Sequence, residues 1–531
     1  MGQNFDILIK EGLLFDGTGS EPFEADIGIA GDKIVFIEKK SEVRSQESEK
    51  VIDARGLAVT PGFIDTHGHS EFTLLADPGA EGKVCQGITT EINGNCGLSA
   101  APLYGEALKQ RENDIKEFSI PERWSTFREY FRILQKRGLA INFASLVGHG
   151  NLRASVAGYE NRELTASNIK KMRYLLRESI SEGAIGISTG LIYPPGIYSN
   201  TEELIEMSRY CNNFIYASHM RSEGDKLIES VREIIKIGEK IGIKVHISHI
   251  KTSGEKNWHK IDQVISLIEE ARMGGIRMTC DRYPYTASQT DLDSILPSWT
   301  FSGGAEEELE KLKSLEFQKR IKKEILDKHP EREYWDKIRI SSVSSRKNRF
   351  MEGRSIAEIS RLGDSEPANI FIKILIEENL KVSAIFSSMN EDNLNRFLSL
   401  PYCMIGSDSS ARSFSGPTRT GKIHPRGLGS FPRFIGRYIR DSGLLNMSEA
   451  IHKITMLPAE TFGIKKRGVL KKGAFADIVI FDHKRIIDRA TFEEPYLSPE
   501  GIHYVFVNGS PALWEGKLTD TKAGKILRHG A

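Results

Sequence analysis

Phe214-Ile215-Tyr216-Ala217-Ser218-His219, followed after a helical stretch around Lys226 to Lys240 by Lys244-Val245-His246-Ile247-Ser248-His249, is the passage whose reading decides the fold. Two short apolar runs flank a segment whose apolar residues recur every three to four positions, the pattern of strand, amphipathic helix and strand. A helix of that length between two strands makes a crossover, and crossovers join parallel strands. Both strands end on histidine, thirty residues apart. In a repeating βα array that interval places the two histidines on neighbouring strands, at the same end of the sheet.

Working outward, further strand candidates are Phe63 to Thr66, Ile88 to Asn93, Asn142 to Val147, Ala184 to Ser188, Ile276 to Asp281, Ser383 to Ser387 and Cys403 to Ser407. With the two strands above, that is nine candidates for the eight places of an α/β, (β/α)8 TIM barrel, so one late strand lies outside it. Residues 1–60 have a different texture: short strands and turns (Phe5 to Lys10, Ala25 to Ala30, Lys33 to Glu38) that return near the end in Ile478 to Phe481 and Tyr504 to Asn508. The two ends are expected to build one small β-sandwich domain, 1–60 with 446–531, around a barrel of 61–445. A charged helical segment, Glu306 to His329, interrupts the alternation, and a long insertion is expected over about 291–346. It reads as a lid or substrate loop, or equally as a solvated surface helix.

Composition narrows the function classes. Among 531 residues, 73 basic and 72 acidic side chains leave a net charge of +1, which argues against nucleic acid or an anionic membrane as partner and favours a small molecule. Cys85, Cys96, Cys211, Cys280 and Cys403 are few, odd in number and scattered, a pattern suited to the cytoplasm and not to a disulfide framework. The opening Met1 to Asp6 has neither a basic nor an apolar leader region, and no apolar run is long enough to span a bilayer. Composition does not fix the oligomeric state.

His67, His69, Cys96, His219, His249 and Asp408 all fall at or just beyond the C-terminal end of a strand candidate, the face on which such barrels build their sites. In His67-Gly68-His69, residues i and i+2 share a face and can point at one cation. Each histidine alone reads as well as an ordinary hydrogen-bonded core or surface residue; the recurrence at strand ends favours metal binding. Asp408 ends the apolar run Ile405-Gly406-Ser407. It reads either as a helix N-cap or as a proton acceptor for metal-activated water and donor to a leaving amine.

These residues match a known pattern. Pro61-Gly62-Phe63-Ile64-Asp65-Thr66-His67-Gly68-His69 resembles the first barrel strand of the amidohydrolase superfamily. Gly94-Asn95-Cys96-Gly97, Ala217-Ser218-His219-Met220-Arg221-Ser222-Glu223, Ser248-His249-Ile250-Lys251 and Asp281-Arg282-Tyr283-Pro284-Tyr285 resemble its N-acyl-D-amino-acid deacylase (D-aminoacylase) branch, from about Phe5 to Asn508. The stretch Ile185 to Gly190 lacks the lysine that bridges two metals in many relatives, and the resemblance gives that bridging role to Cys96. It implies a tight zinc site on Cys96, His219 and His249, with His67, His69 and Asp408 facing a weaker second position, and Asp408 as catalytic base and acid. Against Cys96 stands the reading of a buried, inert thiol. For a substrate carboxylate it implies Lys251, Tyr283, Arg419 and Tyr193, with Ser288 or Gln289 in a serine-contact position.

The activity implied is zinc-dependent hydrolysis of N-acyl-D-amino acids to a carboxylate and a D-amino acid. Two alternatives stand beside it: an amidohydrolase acting on a cyclic amide, like a hydantoinase or dihydroorotase, or on another N-acyl amine, which the same metal centre would serve; and a barrel that has lost catalysis and serves as a scaffold, although such barrels typically lack the metal-ligand types present here.

Overall fold

The computed structural model describes residues 5–39, 48–211 and 213–529; residues 1–4, on which the absence of a leader was read, lie outside them. Eight parallel strands form the barrel: Phe63–Asp65, Ile88–Asn93, Asn142–Ser145 continued by Val147–Gly148, Gly186–Gly190, Ile215–His219, Lys244–Ile247, Met278–Arg282 and Cys403–Ile405. Each pairs in register with the next, Ile215 to Lys244 and Ile247 to Cys280 for example. The ring closes between the first and last strands through the parallel bridge Gly68 to Ser409 and the hydrogen bond from Asp408 N to His67 O at 2.8 Å.

The deciding passage folds as read. Helix Leu227–Ile241 buries Leu227, Ile228, Val231, Ile234, Ile237 and Gly238, the three-to-four spacing of one helix face, in the core shared with the barrel strands. Gly242, at φ 72°, ends the helix in the left-handed conformation a glycine adopts without strain, and Lys244–Ile247 begins two residues later. Truncating a fully buried aliphatic here, such as Ile234, costs about 2–5 kcal/mol.

Both chain ends join one nine-stranded sheet, with Ala58–Pro61 antiparallel to Ile478–Phe481. Ile7, Ile27, Ile29, Ile478, Ile480 and Phe506 lie in its core.

The insertion is larger than read. It enters through the strand Ala287–Asp291, passes through helices Gly304–Lys313 and Leu315–Lys328, and returns through the strands Ile338–Val343 and Val382–Ser387. These strands make an antiparallel sheet with Val382–Ser387 in the middle, packed on a core of its own containing Leu292, Leu312, Ile321, Phe371 and Leu375. The ninth strand candidate, Ser383 to Ser387, is therefore the one outside the barrel. An apolar run of this length looks the same whichever sheet buries it, so the sequence pattern could not exclude it. Among the described residues no helix is long and apolar enough to cross a membrane, and all five cysteines are buried and unpaired.

Candidate metal centre and active site

The strand ends deliver the expected side chains to one mouth. Cys96, His249 and Asp408 sit at φ 53°, 37° and 49°, in the left-handed region where a non-glycine residue costs about 1–3 kcal/mol. Local bonds hold the last two there: His249 N donates to Asp281 Oδ1 at 2.5 Å and Asp408 N to His67 O at 2.8 Å. Between the paired histidines only glycine fits, because a Cβ on Gly68 would lie 2.3 Å from the Glu91 carboxylate.

Cys96 Sγ lies 3.3 Å from His67 Nε2 and 3.5 Å from His249 Nε2. Asp408 Oδ1 is 3.3 Å from His69 Nε2 and 3.6 Å from His67 Nε2. Two trios of ligand-capable groups result, His67–Cys96–His249 and His67–His69–Asp408, each with its ligand atoms within 4.8 Å of one another. His219 packs edge-on to His249 at 4.4 Å between ring centroids and, with Glu223, forms a third trio. Cys96, His219 and His249, expected together, are thus adjacent, but His67 stands closer to the thiol than the sequence reading placed it.

The electrostatics favour bound cations. Burial pushes the Cys96 thiol up, yet His67 and His249 outweigh it and hold the thiol well below its usual range. Asp408 is likewise held well below the usual carboxylate range: burial opposes ionisation, and Arg426, His249 and His67 outweigh it. His69 is pushed up to about 9, the Asp408 carboxylate and Cys96 outweighing burial. Buried His219 has neither ring nitrogen hydrogen-bonded, a cost that a cation would remove. Thiolate, imidazole and carboxylate converging in this way suit zinc.

Neighbours aim these side chains. Glu223 Oε1 is 2.9 Å from His249 Nδ1, so Nε2 is the nitrogen left facing Cys96. Asp281 Oδ2 takes hydrogen bonds from Thr66 Oγ1 at 2.8 Å, and lies 3.1 Å from His246 Nε2 and 3.4 Å from His67 Nδ1. Lys251 pairs with Glu223, and its amine is 2.8 Å from His249 Nδ1.

The substrate-side residues divide. Tyr283 is fully buried with its hydroxyl unpartnered. Burial raises its pKa, but Lys251, Arg282 and Arg426 outweigh that and lower it. Tyr193 packs edge-on to His219 at 5.2 Å and bonds Thr290 Oγ1 at 2.7 Å. Since side chains alternate along Ala287–Asp291, Ser288 shares the Thr290 face. Gln289 turns away, donating to Ser341 Oγ at 3.1 Å and Ser383 Oγ at 3.0 Å. Arg419 is not brought to the cluster: it is exposed and lies over the Tyr496 ring at 5.2 Å. Its loop, Gly416 to Gly421, is held by the Tyr496 hydroxyl, which accepts from Thr420 N and donates to Thr420 O. Arg426 stands in its place, with Nη1 2.8 Å from Asp408 Oδ2 and its guanidinium 4.5 Å from the Tyr283 ring centre. Glu223, quoted above only as part of a motif, and Arg426 have no role assigned from sequence; the signals are the spacing His219 to Glu223, four residues, and the polar run His424-Pro425-Arg426 after Asp408.

Comparison with known proteins identifies the family. Residues 50–207 and 402–512 match the description "Amidohydrolase family". The D-aminoacylase of Alcaligenes xylosoxydans xylosoxydans is 34% identical over an alignment covering 100% of this chain and 99% of that one. The N-acyl-D-glutamate deacylase of Bordetella bronchiseptica, solved with zinc and a phosphonate mimic of the tetrahedral intermediate, superposes with a TM-score of 0.83 at 31% identity, covering 99% of this chain and 100% of the other. A D-aminoacylase solved in connection with its binuclear metal centre, with one-metal activation and second-metal attenuation, gives a TM-score of 0.83 at 32% identity over 99% and 100% of the two chains.

Proposed function

Because the chain belongs to the amidohydrolase family, in its N-acyl-D-amino-acid deacylase branch, we propose that it hydrolyses the amide bond of N-acyl-D-amino acids to a carboxylate and a D-amino acid. The observation that carries this reading is the buried Cys96 thiol between His67 and His249, with Asp408 beside His69. Cys96, His219 and His249 would hold a tight zinc, and His67, His69 and Asp408 a weaker second position. When bound at an open site, zinc polarises a carbonyl and lowers the pKa of water to about 7.

The chain's own residues do the rest. Asp408, kept ionised by Arg426, accepts the proton of the attacking water at Oδ1 and returns it to the departing amine. Arg426, Lys251 and the free Tyr283 hydroxyl form a cationic wall for the substrate carboxylate. Tyr193, bonded to Thr290 at the start of the insertion, and Ser288 on the same face as Thr290 would contact the amino-acid side chain of the substrate. The near-zero net charge supports a small-molecule substrate, and the five buried, unpaired cysteines support placement in the cytoplasm.

The test is removal and return of metal. Chelation should abolish amine release from an N-acyl-D-amino acid and zinc should restore it; activity that survives complete removal would end the zinc reading.

A further inference from the structure

Beneath the His67-Gly68-His69 loop lies a buried ionic cluster that none of the roles above uses. Lys83, on the short helix Glu81–Val84, has its ammonium 2.7 Å from Asp65 Oδ2 and 2.7 Å from Glu91 Oε1, with all three side chains at 0% exposure. The same nitrogen donates to Ser407 Oγ at 2.8 Å and Ser409 O at 3.0 Å. One ammonium thus meets acceptors from the first and second barrel strands and from the chain just beyond the eighth, at the seam where the barrel closes.

Each acceptor continues to a site residue. Asp65 Oδ1 takes the backbone N–H of His67 at 3.2 Å and of Ser407 at 2.8 Å, so one carboxylate grips the chain at His67 and just before Asp408. Glu91 Oε1 accepts from Ser70 Oγ at 2.8 Å, and Ser70 Oγ accepts from Ala411 N at 2.6 Å, so the second carboxylate grips the chain just after His69 and beyond Asp408. His249 rests on other supports, Asp281 at its backbone and Glu223 at its ring. The two networks meet at Thr66 and His67, which Asp281 also touches.

We propose that Lys83 is a positioning residue that, through Asp65 and Glu91, sets the spacing of His67 and His69 to Asp408, while His249 is held by Asp281 at its backbone and Glu223 at its ring. This rests on the catalytic role proposed above for Asp408. The cluster does not earn its place by stability alone, since a buried ion pair is often replaceable by apolar groups without loss; geometric control of an adjacent proton carrier gives it a function.

Removing the ammonium alone leaves two carboxylates facing each other in the core, which strongly destabilises a fold. The working variant is therefore Lys83→Met/Glu91→Gln, which preserves the net charge of the cluster, with Lys83→Met beside it. Both are compared with wild type as full-length protein for zinc content, for cobalt(II) binding followed by the thiolate absorption band of Cys96, and for kcat and KM. The expected result is a folded double variant with an unchanged first cobalt step and unchanged KM, and a kcat reduced about 10- to 100-fold, the usual effect of losing a residue that orients ligands. Undiminished kcat would overturn the proposal, as would loss of the first cobalt step together with kcat. A wild type inactive on every N-acyl-D-amino acid would instead defeat the functional reading, a distinguishable failure.

Discussion

Arg426 Nη1 stands 2.8 Å from Asp408 Oδ2, while the other carboxylate oxygen, Oδ1, faces His69 Nε2 at 3.3 Å. One oxygen is committed to a fixed cation, and the other is turned towards the metal-capable histidines. A carboxylate held this way stays ionised at neutral pH and has one oxygen placed to take a proton.

Asp408→Asn keeps the shape and removes the basicity. It should lower kcat by about 10²- to 10⁴-fold while zinc on the Cys96 side stays near the wild-type level. Parallel metal analysis and kinetics check this, and a fully active variant would remove Asp408 from the mechanism.

Arg426 and Arg419 make opposite predictions. Arg426→Ala should raise KM by about 10- to 100-fold, the worth of a hydrogen bond to a charged group. It should also move the acid limb of the rate profile to higher pH, because the cation that depresses the Asp408 pKa is gone. Arg419→Ala, exposed against Tyr496, should leave both constants unchanged. Kinetics of the two variants on one substrate decide between them.

Cys96→Ala should deplete bound zinc, since the thiolate is the group shared between His67 and His249. Metal content of the purified variant reads this directly; full retention would show that Cys96 is no ligand.

Glu203 accepts from Ser199 Oγ at 3.2 Å, lies 2.9 Å from His149 Nε2 and pairs with buried Arg153. Burial raises its pKa, but His149 and Arg153 outweigh that and bring it down to about 2. A depressed carboxylate contributes stability that is present above its unfolded pKa and is lost as pH falls through the folded value. Glu203→Gln should therefore destabilise the protein at neutral pH by about 3 kcal/mol, with the difference shrinking between about pH 4.5 and 2. Denaturant titrations at several pH values measure it.

The metal-capable residues at the strand ends were legible because each follows a short apolar run in sequence: His219 closes Ile215–His219, and Asp408 follows Cys403–Ile405 within three residues. What aims them was not. Glu223 meets His249 and Lys251 only when neighbouring strands bring their loops together, and Arg426 reaches Asp408 after a loop whose course depends on Tyr496 and the insertion. The choice between Ser288 and Gln289 needed the phase of a strand whose partner, Val382–Ser387, lies almost a hundred residues away. Arg419 comes from the resemblance alone, and nothing in a loop sequence tells that Arg426 is the buried arginine and Arg419 the exposed one.

The most direct test of the central claim is amine release by the zinc-loaded protein from stereochemically paired N-acetyl-D- and N-acetyl-L-amino acids. Release from the D series with little or none from the L series is the predicted result. A clear L preference, or no release from either series, would contradict it.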